Sequence, residues 1–414
     1  MIAEILSTGD EIRSGAVIDS NSAHIAEKLE EAGLEVVRHS CVGDDPDRIE
    51  AVLKDIGGRA DVAVVTGGLG PTTDDLTSEA AAKAAGADLA LDDMALRSVT
   101  DFFEKRKYPM SRSNEKQTML PKGAKCIYNP VGTAPGFMLK IDQCLFFFLP
   151  GVPFEMKRML SEGVLPEIRK LQQDDRRIFM VKTISTFGLG ESIAGEQVAN
   201  LTEEFPGIRL GLRAKFPEIQ IKLYADGEDE KVLTEQIGKA AEWVLQRMGK
   251  WVFSVDGASM EMAVGELLNR KKATVAVAES CTGGLISHSL TNVAGSSDYF
   301  LFSGVTYSNE AKMRVLGVSP DTLRQYGAVH EETAKEMAEG VRRVAGSTYG
   351  LSTTGIAGPG GGTDEKPVGT VCIGLAGPDG VRARRFHFSF GRRSMNKTIF
   401  AVTALNMLRK ELLI

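Results

Sequence analysis

Asp61-Val62-Ala63-Val64-Val65-Thr66 is a continuous run of small and β-branched residues that breaks at once into Gly67-Gly68-Leu69-Gly70-Pro71-Thr72-Thr73-Asp74-Asp75. A strand that is apolar on both faces needs cover on both faces, which is the condition of a parallel sheet held between two helical layers. The flanking sequence supplies that cover. Toward the N-terminus, Ile2 to Ser7 reads as a strand and Asn21 to Glu31 as an amphipathic helix, with Ala23, Ile25, Ala26 and Leu29 on one side. Leu34 to Cys41 reads as a further strand and Asp47 to Ile56 as a helix. Toward the C-terminus, helices are predicted over Asp92–Lys105, Ser113–Leu120 and Pro153–Leu171, with short strands over Lys125–Tyr128, Phe137–Ile141 and Cys144–Leu149. Strand–helix alternation of this kind predicts an α/β fold, here a three-layer sandwich over residues 1–171.

The turn after the strand carries chemistry. Gly67, Gly68 and Gly70 let a backbone approach a phosphate closely, Thr72 and Thr73 add hydroxyls, and Asp74 and Asp75 are a pair that can hold a divalent ion. The turn is not a Walker A loop, which needs Gly-Lys-Ser/Thr, nor a Gly-X-Gly-X-X-Gly fingerprint. A plainer role for Asp74 or Asp75 is to cap a helix beginning near Leu76.

Composition narrows the class. The chain has 414 residues, 43% hydrophobic and 25% charged, with net charge −6, which fits a globular protein of two to three domains and lacks the basic footprint of a nucleic-acid binder. No apolar run is long enough to span a bilayer, and the start of the chain lacks a signal-peptide layout. Five cysteines, Cys41, Cys126, Cys144, Cys281 and Cys372, show no metal-ligand spacing; with no secretion signal they point to reduced thiols in a cytoplasmic protein.

After the polar segment Gln172 to Arg177, read as a linker, the pattern changes. A strand from Ile178, a helix over Ser192–Leu201, strands over Arg209–Ala214 and Glu218–Tyr224, and a helix over Glu230–Met248 predict a small α+β domain over 172–252. The third domain, 253–414, opens with a helix over Met260–Asn269 and a buried strand, Ala273 to Ala278. That strand leads through Glu279-Ser280-Cys281-Thr282-Gly283-Gly284 into a helix at Leu285–Leu290, so Ser280 sits on a strand-to-helix turn where a hydroxyl can stand exposed. Downstream come Gly304-Val305-Thr306-Tyr307-Ser308-Asn309-Glu310-Ala311-Lys312 and Thr353-Thr354-Gly355-Ile356-Ala357-Gly358-Pro359-Gly360-Gly361-Gly362.

A serine needs a base to become a nucleophile. Of five histidines, His288 lies on the helix after Ser280, about two turns away from it, and Lys312 is the better candidate, provided burial or a neighbouring cation lowers its pKa. Ser280 can instead be a helix cap, Lys312 a solvated lysine, and Tyr307 a packed aromatic. Cys281 is a rival nucleophile. Thr282, Gly283 and Gly284 offer backbone N–H groups for an oxyanion or a phosphate, and Thr354 with Gly355 to Gly362 a second cradle.

These three C-terminal stretches together resemble the C-terminal domain of the CinA family, and Ser7-Thr8-Gly9-Asp10-Glu11, the Gly67–Asp75 turn, Asn129 to Gly136 and Leu149-Pro150-Gly151-Val152-Pro153 resemble its N-terminal, molybdopterin-binding-like domain. The resemblance implies a nicotinamide mononucleotide (NMN) deamidase with Ser280 as nucleophile, Lys312 as base, Tyr307 as orienting or relaying group, and no cofactor. In Gly391-Arg392-Arg393 the family usually has Gly-acid-Arg, so Arg393 is the implied phosphate or carboxylate clamp and Arg392 is a departure. For the N-terminal domain it implies a metal-dependent ADP-ribose pyrophosphatase using Mg, Mn or Co, with Asp10, Asp44, Asp74 and Asp75 as ligand candidates. It further implies a KH-like middle domain and a homodimer. The middle domain shows no Gly-X-X-Gly loop between two helices, so RNA binding is not expected. The alternative reading is a molybdopterin-binding or regulatory protein whose active sites have decayed.

Overall fold

A computed structural model describes residues 1–172 and 177–414, so most of the expected linker lies outside the described residues. Compactness divides the chain into two units. One is Met1–Val181 with Tyr224–Glu235, and the other Lys182–Leu223 with Gln236–Ile414, so the middle segment expected over 172–252 contributes to both.

In the first unit β1 (Ile2–Thr8), β2 (Glu35–Val42), β3 (Val62–Thr66), β6 (Lys125–Ile127), β7 (Gly136–Ile141) and β8 (Cys144–Leu149) form one sheet in the order β2-β1-β3-β8-β7-β6. The first four in that order are parallel, and β7 and β6 are antiparallel additions. A short ribbon of β4 (Leu89–Leu91) and β5 (Met119–Pro121) lies apart from it. All five residues of β3 are buried, as its composition requires. Side chains alternate between two cores. Leu6, Val65 and Phe148 meet Ile49, Leu53 and Ala81 on one face, while Ile5, Val64 and Phe147 meet Ile25, Leu29 and Met156 on the other. The three-layer α/β sandwich follows.

Two predicted helices differ. Pro153–Leu171 is broken by a π-helical turn at Leu160–Val164, between helices Pro153–Met159 and Leu165–Leu171. Pro166 has no N–H for the regular ladder, and its ring crowds the carbonyl four residues back. Ser113–Leu120 is a 3₁₀ run, Arg112–Thr118, ending in β5.

A small sheet, β10-β11-β9-β12, is built from β9 (Ile178–Phe187), β10 (Ile208–Lys215), β11 (Glu218–Gly227) and β12 (Val252–Ser254), with helices Glu191–Val198 and Glu230–Met248. The C-terminal sheet runs β14-β13-β15-β16-β17, from β13 (Val275–Glu279), β14 (Phe300–Val305), β15 (Tyr349–Gly355), β16 (Thr370–Gly377) and β17 (Gly380–His387). β14, β13 and β15 are parallel; β16 and β17 are antiparallel. Val275 and Val277 join a core with helices Met260–Lys271, Leu285–Thr291 and Arg393–Leu412. Ala276 and Ala278, on the other face, pack with Leu316, Met337 and Val341 of helices Asn309–Leu316 and Glu331–Ala345.

Candidate active sites

The alternation along β13 decides where its end points. Glu279 continues the face of Val275 and Val277, toward the Leu285–Thr291 helix. Ser280 continues the face of Ala276 and Ala278, toward the Asn309–Leu316 helix. The helices that follow the neighbouring strands β13 and β14 therefore lie on opposite faces, which makes the carboxyl ends of the two strands a topological switch point. Ser280, at the end of β13, and Lys312, in the helix after β14, meet there.

Lys312 is 1% exposed. Its Nζ lies 3.2 Å from Ser280 Oγ, 3.0 Å from the Thr306 carbonyl oxygen and 3.2 Å from that of Tyr307. Burial holds its pKa below the ordinary lysine value. A neutral amine has two N–H bonds for the two carbonyls and one lone pair left, which then faces the serine hydroxyl. Cys281 points into the core, and burial pushes its thiol up to about 12, so it stays an unreactive SH group.

Other expected residues are placed differently. Tyr307 is 60% exposed, and its phenol oxygen accepts from Arg393 Nη2 at 3.1 Å; it is the Tyr307 carbonyl that meets Lys312. The cradle read at Gly283 and Gly284 needs correction. Gly283 N donates to the Ser280 carbonyl at 3.1 Å and Gly284 N to Glu279 Oε2 at 2.9 Å, so both donors are used inside the turn. Thr282 is buried, its hydroxyl 2.8 Å from that of Thr353. Thr354 donates to the Ala328 carbonyl at 2.7 Å, and a Cβ on Gly355 would stand 2.5 Å from the Thr370 carbonyl, so both serve strand packing. Gly358 accepts from Arg393 Nη1 at 2.6 Å. Arg393 thus bridges Tyr307 and the glycine-rich loop, whereas Arg392 is the exposed residue before the helix.

Two residues that the sequence reading passed over belong to this site. Lys397, one helical turn beyond Arg393, comes so close to the turn that its Nζ would be 3.5 Å from a Cβ on Gly283. Glu279 is wholly buried and binds the turn from below. A carboxylate ending an apolar strand was the available signal for it, and the helical spacing from Arg393 was the signal for Lys397.

The N-terminal turn obeys the same topological rule. The helices following the adjacent strands β1 and β3, Ser20–Glu31 and Thr77–Ala84, lie on opposite faces, and a cleft of about 510 Å³ opens at the strand ends. Gly67 and Gly68 have φ of 111° and 65°, and Cβ atoms there would stand 2.3 Å from the Thr8 carbonyl and 2.1 Å from Thr77 Oγ1. Only glycine fits this turn. Gly70 leaves space for the Asp75 carboxylate, which accepts from Thr72 N at 2.8 Å and Thr72 Oγ1 at 2.5 Å. Thr73 is exposed. Helix Thr77–Ala84 has no side-chain cap, so neither Asp74 nor Asp75 takes the capping role that sequence allowed; Asp75 closes the turn instead.

Asp44, Asp74 and Asp75 line this cleft. Asp44 accepts from the Asp10 backbone N–H at 3.0 Å, and Asp10's carboxylate pairs with Arg13 at 3.0 Å. Burial, with Asp10, Glu11 and Asp74 nearby, pushes the Asp44 carboxyl up. Among the described residues no three His, Cys, Asp or Glu side chains converge on a metal position. A divalent ion at Asp10, Asp44, Asp74 and Asp75 would thus draw on at most two of these carboxylates at once, with substrate phosphates supplying further oxygens. Glu155, also on the cleft wall, was missed. It is buried, accepts from Asn129 Nδ2 at 2.8 Å, and has its carboxyl pushed up by burial.

Three stretches of the chain match known protein families. Residues 257–412 match the CinA C-terminal domain, 4–170 the family described as "Probable molybdopterin binding domain", and 181–254 the "Damage-inducible protein CinA KH domain". A CinA-like protein of Desulfosudis oleivorans is 57% identical over 413 residues, covering 100% of both chains. The chain belongs to the CinA family. A CinA-like protein of Geobacter metallireducens is 44% identical, again over 100% of both chains. Among solved structures, the competence/damage inducible protein CihA of Agrobacterium tumefaciens is 38% identical, covering 37% of this chain and 94% of its own, with a TM-score of 0.36. No described helix of this CinA-family chain is long and apolar enough to cross a membrane.

Proposed function

We propose that the C-terminal domain hydrolyses the carboxamide of NMN to nicotinate mononucleotide and ammonia. The observation that carries the reading is the buried Lys312 Nζ 3.2 Å from Ser280 Oγ, with two backbone carbonyls fixing its remaining bonds. Ser280 Oγ attacks the amide carbon as its proton passes to Lys312. The C–N bond breaks as Lys312 returns that proton to the departing ammonia. Water then attacks the resulting ester, again losing a proton to Lys312, and frees the carboxylate and Ser280. Arg393 and Lys397 offer the positive charge a phosphate needs. An intact nucleophile–base pair favours an enzyme over a decayed regulatory protein. The test is ammonia release from NMN by the purified chain, lost in Ser280→Ala and kept in Cys281→Ala.

For the N-terminal cleft we propose ADP-ribose as substrate, cleaved to AMP and ribose 5-phosphate. The support is the glycine turn at Gly67 and Gly68 opening on a cleft of about 510 Å³. Among the described residues no three acids converge on one metal position, so no step through a metal is derived. Activity assays with chelator, and with Mg, Mn or Co restored, decide whether a divalent ion takes part. Both reactions fit a cytoplasmic homodimer of pyridine-nucleotide recycling, with no nucleic-acid or membrane partner.

A further inference from the structure

We infer that Glu279 is the positioning residue that fixes the direction in which Ser280 presents its hydroxyl. The inference rests on the Ser280–Lys312 reading and extends it to a residue that does not touch substrate. The Glu279 carboxylate is fully buried and receives four donors from the segment beyond the turn. Gly284 N and Ile286 N donate to Oε2 at 2.9 and 3.2 Å, and Ser287 N and Oγ to Oε1 at 2.9 and 2.5 Å. The three N–H groups are the orphan donors at the entry of the Leu285–Thr291 helix, which would otherwise be left unbonded under the turn.

The last residue of the strand thus caps the helix that follows it and closes residues 280–284 into a ring. Inside that ring Gly283 N bonds the Ser280 carbonyl at 3.1 Å, and Ser280 N bonds the Thr353 carbonyl at 3.0 Å. The main chain is held on both sides of Ser280. Gly283 and Gly284, at φ of 60° and 91°, supply the left-handed steps that let the ring close. With four donors on its oxygens, Glu279 is saturated as an acceptor, so its effect is on geometry and not on proton transfer. Placement is costly to lose, because a displacement of about 1 Å at a nucleophile can lower rate on the order of a hundredfold.

The test uses a serine-directed fluorophosphonate, which reports on Ser280 without NMN, alongside ammonia release. Glu279→Gln keeps the volume but turns an NH₂ toward an N–H donor. It should be labelled at least about tenfold more slowly than wild type, with the acid limb of its pH–rate profile unmoved, because Lys312 is held by Thr306 and Tyr307 and not by this ring. Ser287→Ala removes one donor and leaves the carboxylate; a smaller loss, about two- to fivefold, is expected in folded protein, and this variant decides the matter if Glu279→Gln does not fold. Labelling of either folded variant at the wild-type rate overturns the inference, as does a shifted pH profile, which would make Glu279 a proton-transfer group. If wild type is not labelled while Ser280→Ala behaves the same, the dyad itself fails and the inference with it. If wild type is labelled but releases no ammonia from NMN, only the substrate reading fails.

Discussion

At Lys312 burial acts against the charge that a lysine ordinarily carries. Its contacts are neutral oxygens, so removal from water favours the free amine and lowers its pKa from 10.5. NMN deamidation should therefore rise with pH along an acid limb whose midpoint lies below 10.5; a midpoint at or above that value would assign the limb to another group. Stability carries the same sign. Between the lowered folded pKa and the unfolded 10.5 the unfolded chain binds more protons, so the group's penalty is complete below the folded value and fades as pH rises through that window. Lys312→Met removes the penalty, and its melting temperature relative to wild type should fall as pH is raised toward 10.5. Parallel melting curves would contradict the assignment. At Cys281, a thiol pushed up to about 12 and facing the core should resist iodoacetamide in folded protein, and rapid alkylation detected by mass spectrometry would reopen the thiol as nucleophile.

Elements bring these residues together through glycine as much as through apolar packing. The Glu331–Ala345 helix lies directly on β15 and β16. A Cβ on Gly350 would stand 2.1 Å from the Ala338 carbonyl, and one on Gly374 2.1 Å from that of Ala334. Gly350→Ala or Gly374→Ala must lift the helix and should cost about 1–3 kcal/mol, read as a lower urea midpoint with unchanged slope. Wild-type midpoints would show that the helix gives way freely. Lys397→Ala, by contrast, should leave the midpoint alone and raise KM for NMN about tenfold or more, by loss of a charge-assisted phosphate contact. At this scale the sequence was legible where one segment carries the whole signal: β3 from its apolar run, and Ser280 from its strand-to-helix turn. It was misleading where a bond crosses between segments. Nothing near Thr354 tells that its hydroxyl serves Ala328, 26 residues away; at Gly283, Gly284 and Asp75 the partners Ser280, Glu279 and Thr72 lie in the same turn, and composition leaves open which N–H groups that turn consumes. The break in Pro153–Leu171 has a local signal in Pro166, which has no N–H for the helix ladder.

Across the whole molecule one architectural rule appears twice. In both α/β sheets the helices after two adjacent parallel strands leave on opposite faces, and the candidate residues gather at those strand ends, Gly67 and Gly68 at one and Ser280 with Lys312 at the other. The two chemistries need different groups, so they should separate. Asp75→Asn should lower ADP-ribose cleavage about tenfold or more through loss of the turn's charge-assisted bond to Thr72, and leave NMN deamidation unchanged; Ser280→Ala should do the reverse. Loss of both activities in either variant would contradict independent sites. The central claim, a serine activated by a buried lysine, is tested most directly by ammonia release from NMN in Lys312→Arg. Arginine keeps the positive charge and does not deprotonate near neutral pH. The expected result is a folded protein with ammonia release at or near the uncatalysed background. Turnover near the wild-type rate would show that Lys312 acts only as a charge, and the proposed mechanism would be wrong.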